Sequence, residues 1–88
     1  MKKVFKYPFS VQDIIELDLP VAAEILHCDM QPGSGFAAWC LVDPTAPTAK
    51  RRIKMAGTGH PIGEHVKRFI NTIMMENGRL VFHFFEIA

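Results

Sequence analysis

The sequence lacks the features of several common protein classes. Its 88 residues include two cysteines, Cys28 and Cys40, which are too few for a disulfide framework. Each lies in an apolar run, where a free thiol behaves as a small hydrophobic side chain. No apolar run approaches the roughly 18 residues of a membrane span, and the opening MKKVFKYPFSVQD contains no signal-peptide core. These absences predict a cytoplasmic protein without membrane contact.

The sequence also has little net charge. Ten Lys and Arg residues against nine Asp and Glu residues give a formal charge of +1. This balance argues against nucleic acid as a partner, because nucleic-acid binding needs a strongly basic surface. The positive charge is uneven, since Lys50, Arg51, Arg52 and Lys54 fall within five residues. No aromatic residue is interleaved with this run, so a surface for stacking single-stranded bases is not expected.

No catalytic or metal-binding motif is present. Catalysis needs paired acid–base or nucleophilic groups in a cleft, and no Ser, Thr or Cys occupies a recognisable nucleophile motif. The four histidines lack the Cys and His spacing of a structural zinc site. We therefore predict no enzyme activity, no cofactor and no metal. The alternative is a metal set that combines His60 and His65 with one distant residue: His27, Cys28 or Glu64.

Short apolar segments separated by Pro and Gly make up most of the chain. VFKYPF, IIELDLP and KRRIKMA alternate at least in part between apolar and polar residues, which is typical of strands. FAAWCLV and LVFHFFEI are apolar at nearly every position, as in strands covered on both faces. QPGSG predicts one hairpin connection and Asn77-Gly78 another, since Asn-Gly suits the positive φ angles of a type I′ turn.

These segments predict a single all-β domain over residues 1–88. We expect a small antiparallel β-sandwich or partly open barrel of six to seven short strands. At most one helical turn is expected near residues 63–69, in EHVKRF. Lys2, Lys3 and Lys6 are typical of an edge strand protected by charge. The predicted core contains Phe5, Leu17, Trp39, Leu41, Ile53, Leu80, Phe82 and Phe84.

The segment GTGHP (57–61) has two interpretations, which the sequence leaves open. Its glycines would let backbone N–H groups approach an anion, with positive charge from the neighbouring basic residues and the histidine. Alternatively it is only a tight turn, in which Gly57 and Gly59 adopt unusual φ angles and Pro61 fixes the exit. The candidate ligand- or partner-binding residues are Arg51, Arg52, Lys54, Gly57, Thr58, Gly59 and His60.

The chain has more large apolar residues than one small core can hide. Seven Phe, five Met and one Trp occur in 88 residues, and exposed apolar patches usually mark contacts. A twofold dimer is the commonest closed assembly. We therefore predict a homodimer that uses the outer face of the C-terminal hairpin, with Phe85, Val81 and Met74 as candidate contacts.

Four segments, in this order, are VFKYPF, AWCLVDPTAP, GTGHPI and LVFHFFE. Together they resemble a family of short tailed-phage and prophage proteins catalogued as a domain of unknown function. The resemblance implies a small β-rich accessory protein without an assigned active site. It further implies a non-enzymatic binding protein that acts on a host protein or defence complex. The alternative is an oligomeric sponge that sequesters a nucleotide-type anionic signalling molecule through the GTGHP turn and the adjacent arginines.

Overall fold

The computed structural model describes residues 1–88 as seven strands connected by loops, with no helix. The strands form a three-stranded sheet A in the order β1-β4-β3 and a four-stranded sheet B in the order β2-β5-β7-β6, with antiparallel pairing throughout. No helix is available to cross a membrane. The two sheets remain separate, so the all-β prediction is confirmed in its sandwich form. The strands are β1 (Lys3–Pro8), β2 (Ile14–Pro20), β3 (Glu24–Gln31), β4 (Gly35–Val42), β5 (Thr48–Gly57), β6 (Val66–Met75) and β7 (Leu80–Ile87).

Both predicted hairpins are confirmed. In the first, Gln31 pairs with Gly35 across the QPGSG connection. In the second, Met75 pairs with Leu80, so Asn77-Gly78 lies within a four-residue loop rather than forming a two-residue turn. The left-handed backbone begins one residue earlier than the Asn-Gly pair predicts, with φ angles of 51° at Glu76, 57° at Asn77 and 84° at Gly78.

The core lies between the sheets and is built from alternate positions of each strand. Fourteen buried residues form one cluster, because successive side chains of a strand point to opposite faces. The prediction is confirmed for Leu17, Ile53 and Phe84, which belong to this cluster, and for Phe82, which packs against it. Burial of a side chain as large as Phe84 contributes roughly 1.5–3 kcal/mol.

The core prediction is wrong at four positions. Phe5 and Leu80 are 40% and 39% exposed, because one lies on an edge strand and the other at the start of a hairpin arm. Trp39 and Leu41 lie on the outer face of sheet A, since their neighbours Ala38 and Cys40 point into the core. A strand that is apolar at every position gives no period from which its inward face can be read.

No helical turn forms in EHVKRF, where the sequence predicts at most one, because this segment enters β6. The strand departs from regular alternation at two register shifts, between Val66 and Arg68 and between Phe69 and Asn71. Such bulges re-aim the side chains that follow them. Here they direct Arg68 and Asn71 inward at the edge of sheet B, opposite Glu86 and Phe84.

These two side chains join the edges of the two sheets. The Asn71 side chain accepts a hydrogen bond from the Cys28 backbone N–H at 2.9 Å and donates one to the Cys28 carbonyl at 2.8 Å. Arg68 donates to the Ile25 carbonyl. Side chains of β6 therefore form hydrogen bonds with backbone N–H and C=O groups of the edge strand β3, which a neighbouring strand would otherwise pair.

One connection differs from the others and positions the candidate site. Both β5 and β6 pair antiparallel with β7, so they run parallel to each other with β7 between them. Parallel strands cannot be joined by a tight turn, and residues 58–65 return along the sheet as a crossover. The crossover lies over the outer face of sheet B, where Glu64 approaches Lys54 and Thr58 contacts His83.

Candidate functional site

The GTGHP segment forms the tight turn by which β5 enters the crossover. The His60 N–H donates to the Gly57 carbonyl at 3.1 Å, and Gly59 has a φ angle of 86° that disfavours other residues. Gly57 serves a different purpose. A Cβ atom added there would lie 2.9 Å from Cε1 and Nδ1 of His60, so the absence of a side chain allows the imidazole to pack directly against the backbone.

A shallow cavity opens beside this turn. Its volume is about 250 Å³, and two parts of the chain form it. One part is the turn itself, and the other is the start of β7 with the residue before it. The lining residues are Gly57, Thr58, His60, Arg79, Leu80, Val81 and Phe82. The structure therefore brings three of the predicted binding residues together with an arginine from the Asn-Gly loop.

His83 holds one wall of the turn in place. Its Nε2 lies 2.7 Å from Thr58 Oγ1, and its Nδ1 lies 2.9 Å from Thr72 Oγ1. A neutral imidazole has one N–H group and one acceptor nitrogen, so one threonine donates to the ring and the other accepts from it. This pair of hydrogen bonds ties the crossover to β7 and β6 and fixes the position of the Thr58 hydroxyl.

Arg51 is not part of this cavity, because it points into the space between the sheets. Its Nε donates to Glu86 Oε2, its Nη2 donates to Glu86 Oε1 at 3.0 Å, and its Nη1 donates to the Ala23 carbonyl at 2.9 Å. The hydrogen bonds from Arg51 lower the pKa of the Glu86 carboxyl, and those to Glu86 raise the pKa of Arg51. Arg51 is thus a structural cation, each of whose three guanidinium nitrogens donates a hydrogen bond within the protein.

Arg52 and Lys54 lie on the opposite face of β5, and each of them also forms an ion pair with a carboxylate. Arg52 Nε is 3.9 Å from Glu16, and its Nη1 donates to the Ala88 carbonyl at 2.6 Å. Lys54 is buried beneath the crossover, with its Nζ 2.8 Å from Asp13 and 3.4 Å from Glu64. The hydrogen bond to Asp13 is the main cause of its raised pKa. The structure therefore does not bring Arg52 and Lys54 together with the residues that line the cavity.

The remaining nucleophilic and metal-ligating side chains do not assemble into a site. Cys28 and Cys40 are free and buried, and burial raises the pKa of Cys28 to about 12 and that of Cys40 to about 11. Both thiols are thus protonated and unreactive near neutral pH. No three His, Cys, Asp or Glu side chains come together as a metal ion would require.

Sequence reasoning missed Arg79, which lies about 20 residues from the turn that it faces. The available signal was the Asn77-Gly78 pair, because a hairpin loop there places Arg79 directly before the first residue of β7. Without the strand order, nothing showed that the same end of β7 lies beside the end of β5. The cations of the basic run at residues 50–54 do not line the cavity, because sequence neighbours on a strand point to opposite faces.

A second surface feature lies on the outer face of β6 and β7. Phe69 and Met74 are 54% and 73% exposed, and Phe69 packs edge-on against Phe85 with ring centroids 5.5 Å apart. Met74 pairs directly with Val81. We call Phe69, Met74, Val81 and Phe85 the apolar strip. It contains the three residues that the sequence predicts at a dimer contact.

Comparison with known proteins adds a family to this description. A family model described as "Domain of unknown function (DUF7352)" matches residues 1–88, so the chain belongs to this family. The match confirms the predicted resemblance to a domain of unknown function, while the phage or prophage origin stays a prediction. Neither the curated proteins nor the solved structures contain a match to the chain.

Proposed function

We propose that this member of the DUF7352 family is a non-enzymatic binding protein that docks on another protein. The observation on which this rests is the position of Trp39 and Leu41 on the outer face of sheet A, next to the exposed Val4. The connections from sheet A either join adjacent strands or lead to sheet B. None of them returns across this face as the crossover does on sheet B.

The composition of this face suits a protein partner. Trp39 sits at the centre of the face, between Lys6 of β1 and His27 of β3 in the strand register, and its ring centroid lies 6.5 Å from that of His27. His27 also pairs with Asp29 at 3.2 Å. Tryptophan is over-represented among the residues that contribute most binding energy in protein interfaces, and here it has both apolar and polar neighbours on one face. The resemblance to short phage and prophage accessory proteins supports a host protein or defence complex in the host cytoplasm as the target.

We further propose that the apolar strip is the contact of a homodimer. Full burial of a Phe or Met side chain stabilises a protein by roughly 1.5–3 kcal/mol. In a monomer, Phe69 and Met74 are exposed and contribute only a small part of this stabilisation. The strip lies on sheet B and the Trp39 face on sheet A, so the two surfaces do not compete. Light scattering at micromolar concentration should give about twice the 9.9 kDa of one chain.

Two variants separate these roles, and each is the control for the other. Phe85→Glu should convert the dimer to a monomer without altering the Trp39 face. Trp39→Ala should leave the mass unchanged but abolish capture of the target from host lysate by the immobilised protein. A wild-type mass near 9.9 kDa would reject the dimer, and equal capture by wild type and Trp39→Ala would reject the docking face.

A second candidate function, sequestration of an anionic small molecule, is favoured by the cavity at the GTGHP turn. The test is to denature the purified protein by heat and to examine the supernatant by mass spectrometry. A stoichiometric nucleotide-type anion would support sequestration. Its absence, together with no thermal shift across a panel of nucleotides, would reject this function.

A further inference from the structure

The cavity at the GTGHP turn occupies the place where β5 would continue if it were longer. β7 begins at Leu80 but pairs with β5 only from Phe82, opposite Gly57. Over Leu80 and Val81 it therefore has β6 as a partner on one side and no strand on the other. Backbone polar groups that are not paired with a strand are available to a ligand.

The cavity also has a cation that forms no ion pair. The structure contains six ion pairs, and none involves Arg79 or His60. The arginines and lysines of β5, by contrast, all have carboxylate partners. A guanidinium presents a planar set of donors that matches a carboxylate or phosphate. Arg79 lines the cavity together with His60 and Thr58, so these side chains can together bind one anionic group. The Thr58 hydroxyl donates to that group when it accepts its hydrogen bond from His83 Nε2.

The rest of the lining is apolar and limits what the ligand can be. Leu80, Val81 and Phe82 form this part of the wall. The volume of about 250 Å³ is below the roughly 300–1,000 Å³ of pockets that enclose a drug-sized ligand. A dinucleotide would therefore extend far outside this shallow cavity, whereas a compact molecule with one anionic group matches its size.

We propose that this cavity binds a small organic anion. Its carboxylate or phosphate lies at Arg79, His60 and Thr58, and its apolar group packs on Leu80, Val81 and Phe82. This inference rests on the second proposed function and deepens it, because Arg79 takes the place of Arg51, Arg52 and Lys54 as the cation. Gly57 is essential to the site, since its missing side chain leaves room for the His60 ring.

The experiment is an NMR titration of the full chain with three probes: phenyl phosphate, benzoate and inorganic phosphate. Saturable amide shifts are expected for residues 57–60 and 79–82 with the two organic anions, and weaker binding with inorganic phosphate. Tighter binding of phenyl phosphate would identify a phosphate monoester as the natural class, and tighter binding of benzoate a carboxylate. Absence of saturable shifts with both organic anions at millimolar concentration would overturn the proposal.

Two variants with matched controls test the geometry. Arg79→Gln should weaken binding of the better probe by at least about tenfold, as expected for loss of a charged hydrogen-bond donor, whereas Lys2→Gln, an equal change of net charge, should not. Gly57→Ala should weaken binding by displacing His60. The control Gly63→Ala lies in the same crossover and has open space at its Cβ position. Unchanged affinity in Arg79→Gln would overturn the proposal even if Gly57→Ala weakened binding.

The outcomes separate this inference from the function on which it rests. An anion recovered by mass spectrometry, together with amide shifts that map elsewhere, would leave sequestration standing and reject this cavity. No recovered anion and no saturable shift would reject both.

Discussion

The two outer faces of the sandwich differ in what covers them. On sheet B the crossover covers part of the face, and Lys54, Ala56 and Ile87 are buried on it outside the main core cluster. On sheet A the corresponding face is open, with Val4 53% exposed and only Ala37 among its residues buried. Strand β4 of sheet A and strand β7 of sheet B are both largely apolar on both faces, so the composition of these strands does not explain the difference.

The difference comes from the order in which the strands are connected. In sheet B, β5 and β6 flank β7, and the chain between them must return along the sheet. In sheet A, β3 and β4 are joined by a hairpin and the other connections lead to sheet B. A residue on an outer face is therefore buried or exposed according to topology. The same holds for the proposed dimer contact, because the outer-facing Val81 and Phe85 of β7 are half-buried, whereas Phe69 and Met74 of β6 are exposed.

The largest expected effect on the free energy of unfolding is at the Arg51–Glu86 ion pair between the sheets. Changes on either outer face are expected to have smaller effects. Glu86→Gln removes the partner of Arg51 from a site where the Glu86 side chain is 6% exposed. Breaking such a buried pair costs about 3–5 kcal/mol, and the loss should be evident in urea denaturation. The double variant Arg51→Met with Glu86→Leu should be close to wild type, since no buried charge is left unpaired.

The same pair predicts a dependence of stability on pH. The pKa of Glu86 in the folded protein lies below its ordinary value of 4.5, so the pair contributes fully above about pH 4.5. This contribution is lost as the pH falls through the pKa of the folded state. Urea denaturation from about pH 6 to about pH 3 should show a steeper loss of unfolding free energy in wild type than in the double variant. Parallel curves would contradict the assignment to Glu86.

Truncation of Ile87 on sheet B and of Val4 on sheet A compares the two outer faces directly. Ile87→Ala should reduce the free energy of unfolding by about 2–5 kcal/mol, as for truncation of a buried isoleucine. Val4→Ala on the open face should change it by no more than about 0.5 kcal/mol. Thermal and urea unfolding of both variants provide the measurement. Equal losses would show that sheet A is covered as sheet B is.

A smaller effect is expected where the crossover is attached to sheet B. Lys54→Gln removes the positive charge beneath Glu64, whose Oε1 is buried without a hydrogen-bond partner. Amide hydrogen exchange in residues 58–65 should become faster, because the crossover loses its anchor to the sheet. Lys50→Gln is the matched control, since Lys50 lies on the same face of β5 but forms an exposed ion pair with Asp18. Equal acceleration in both variants would reject the anchor.

Much of the fold could be predicted because the local signals were strong. Pro and Gly separated the strands, and Asn77-Gly78 placed the last hairpin. The faces of the strands were predictable only where polar and apolar residues alternate, as at Leu17 in IIELDLP. In LVFHFFEI the apolar residues fall on both faces, and only the structure shows that Glu86 points inward to Arg51.

The start of β6 could not be predicted because its bulges interrupt the alternation on which strand prediction depends. Arg68 and Asn71 lie three residues apart and share a face only because of a register shift between Phe69 and Asn71. The candidate site was predictable in part. The sequence indicated the GTGHP turn, but the pairing of this turn with Arg79 depends on the strand order in sheet B, which no local pattern contains.

The position of β7 has a consequence for how the protein is made. This strand follows all the others in the sequence, yet it lies between β5 and β6 and pairs with both. During synthesis, β5 and β6 therefore leave the ribosome before the strand that joins them, and neither can complete its ladder. The β6–β7 pair is a local hairpin, but the pairing of β5 with β7 is long-range and slower to form, and the unpaired edge of β5 persists until β7 inserts. Sheet B can thus be completed only after β7 has been translated.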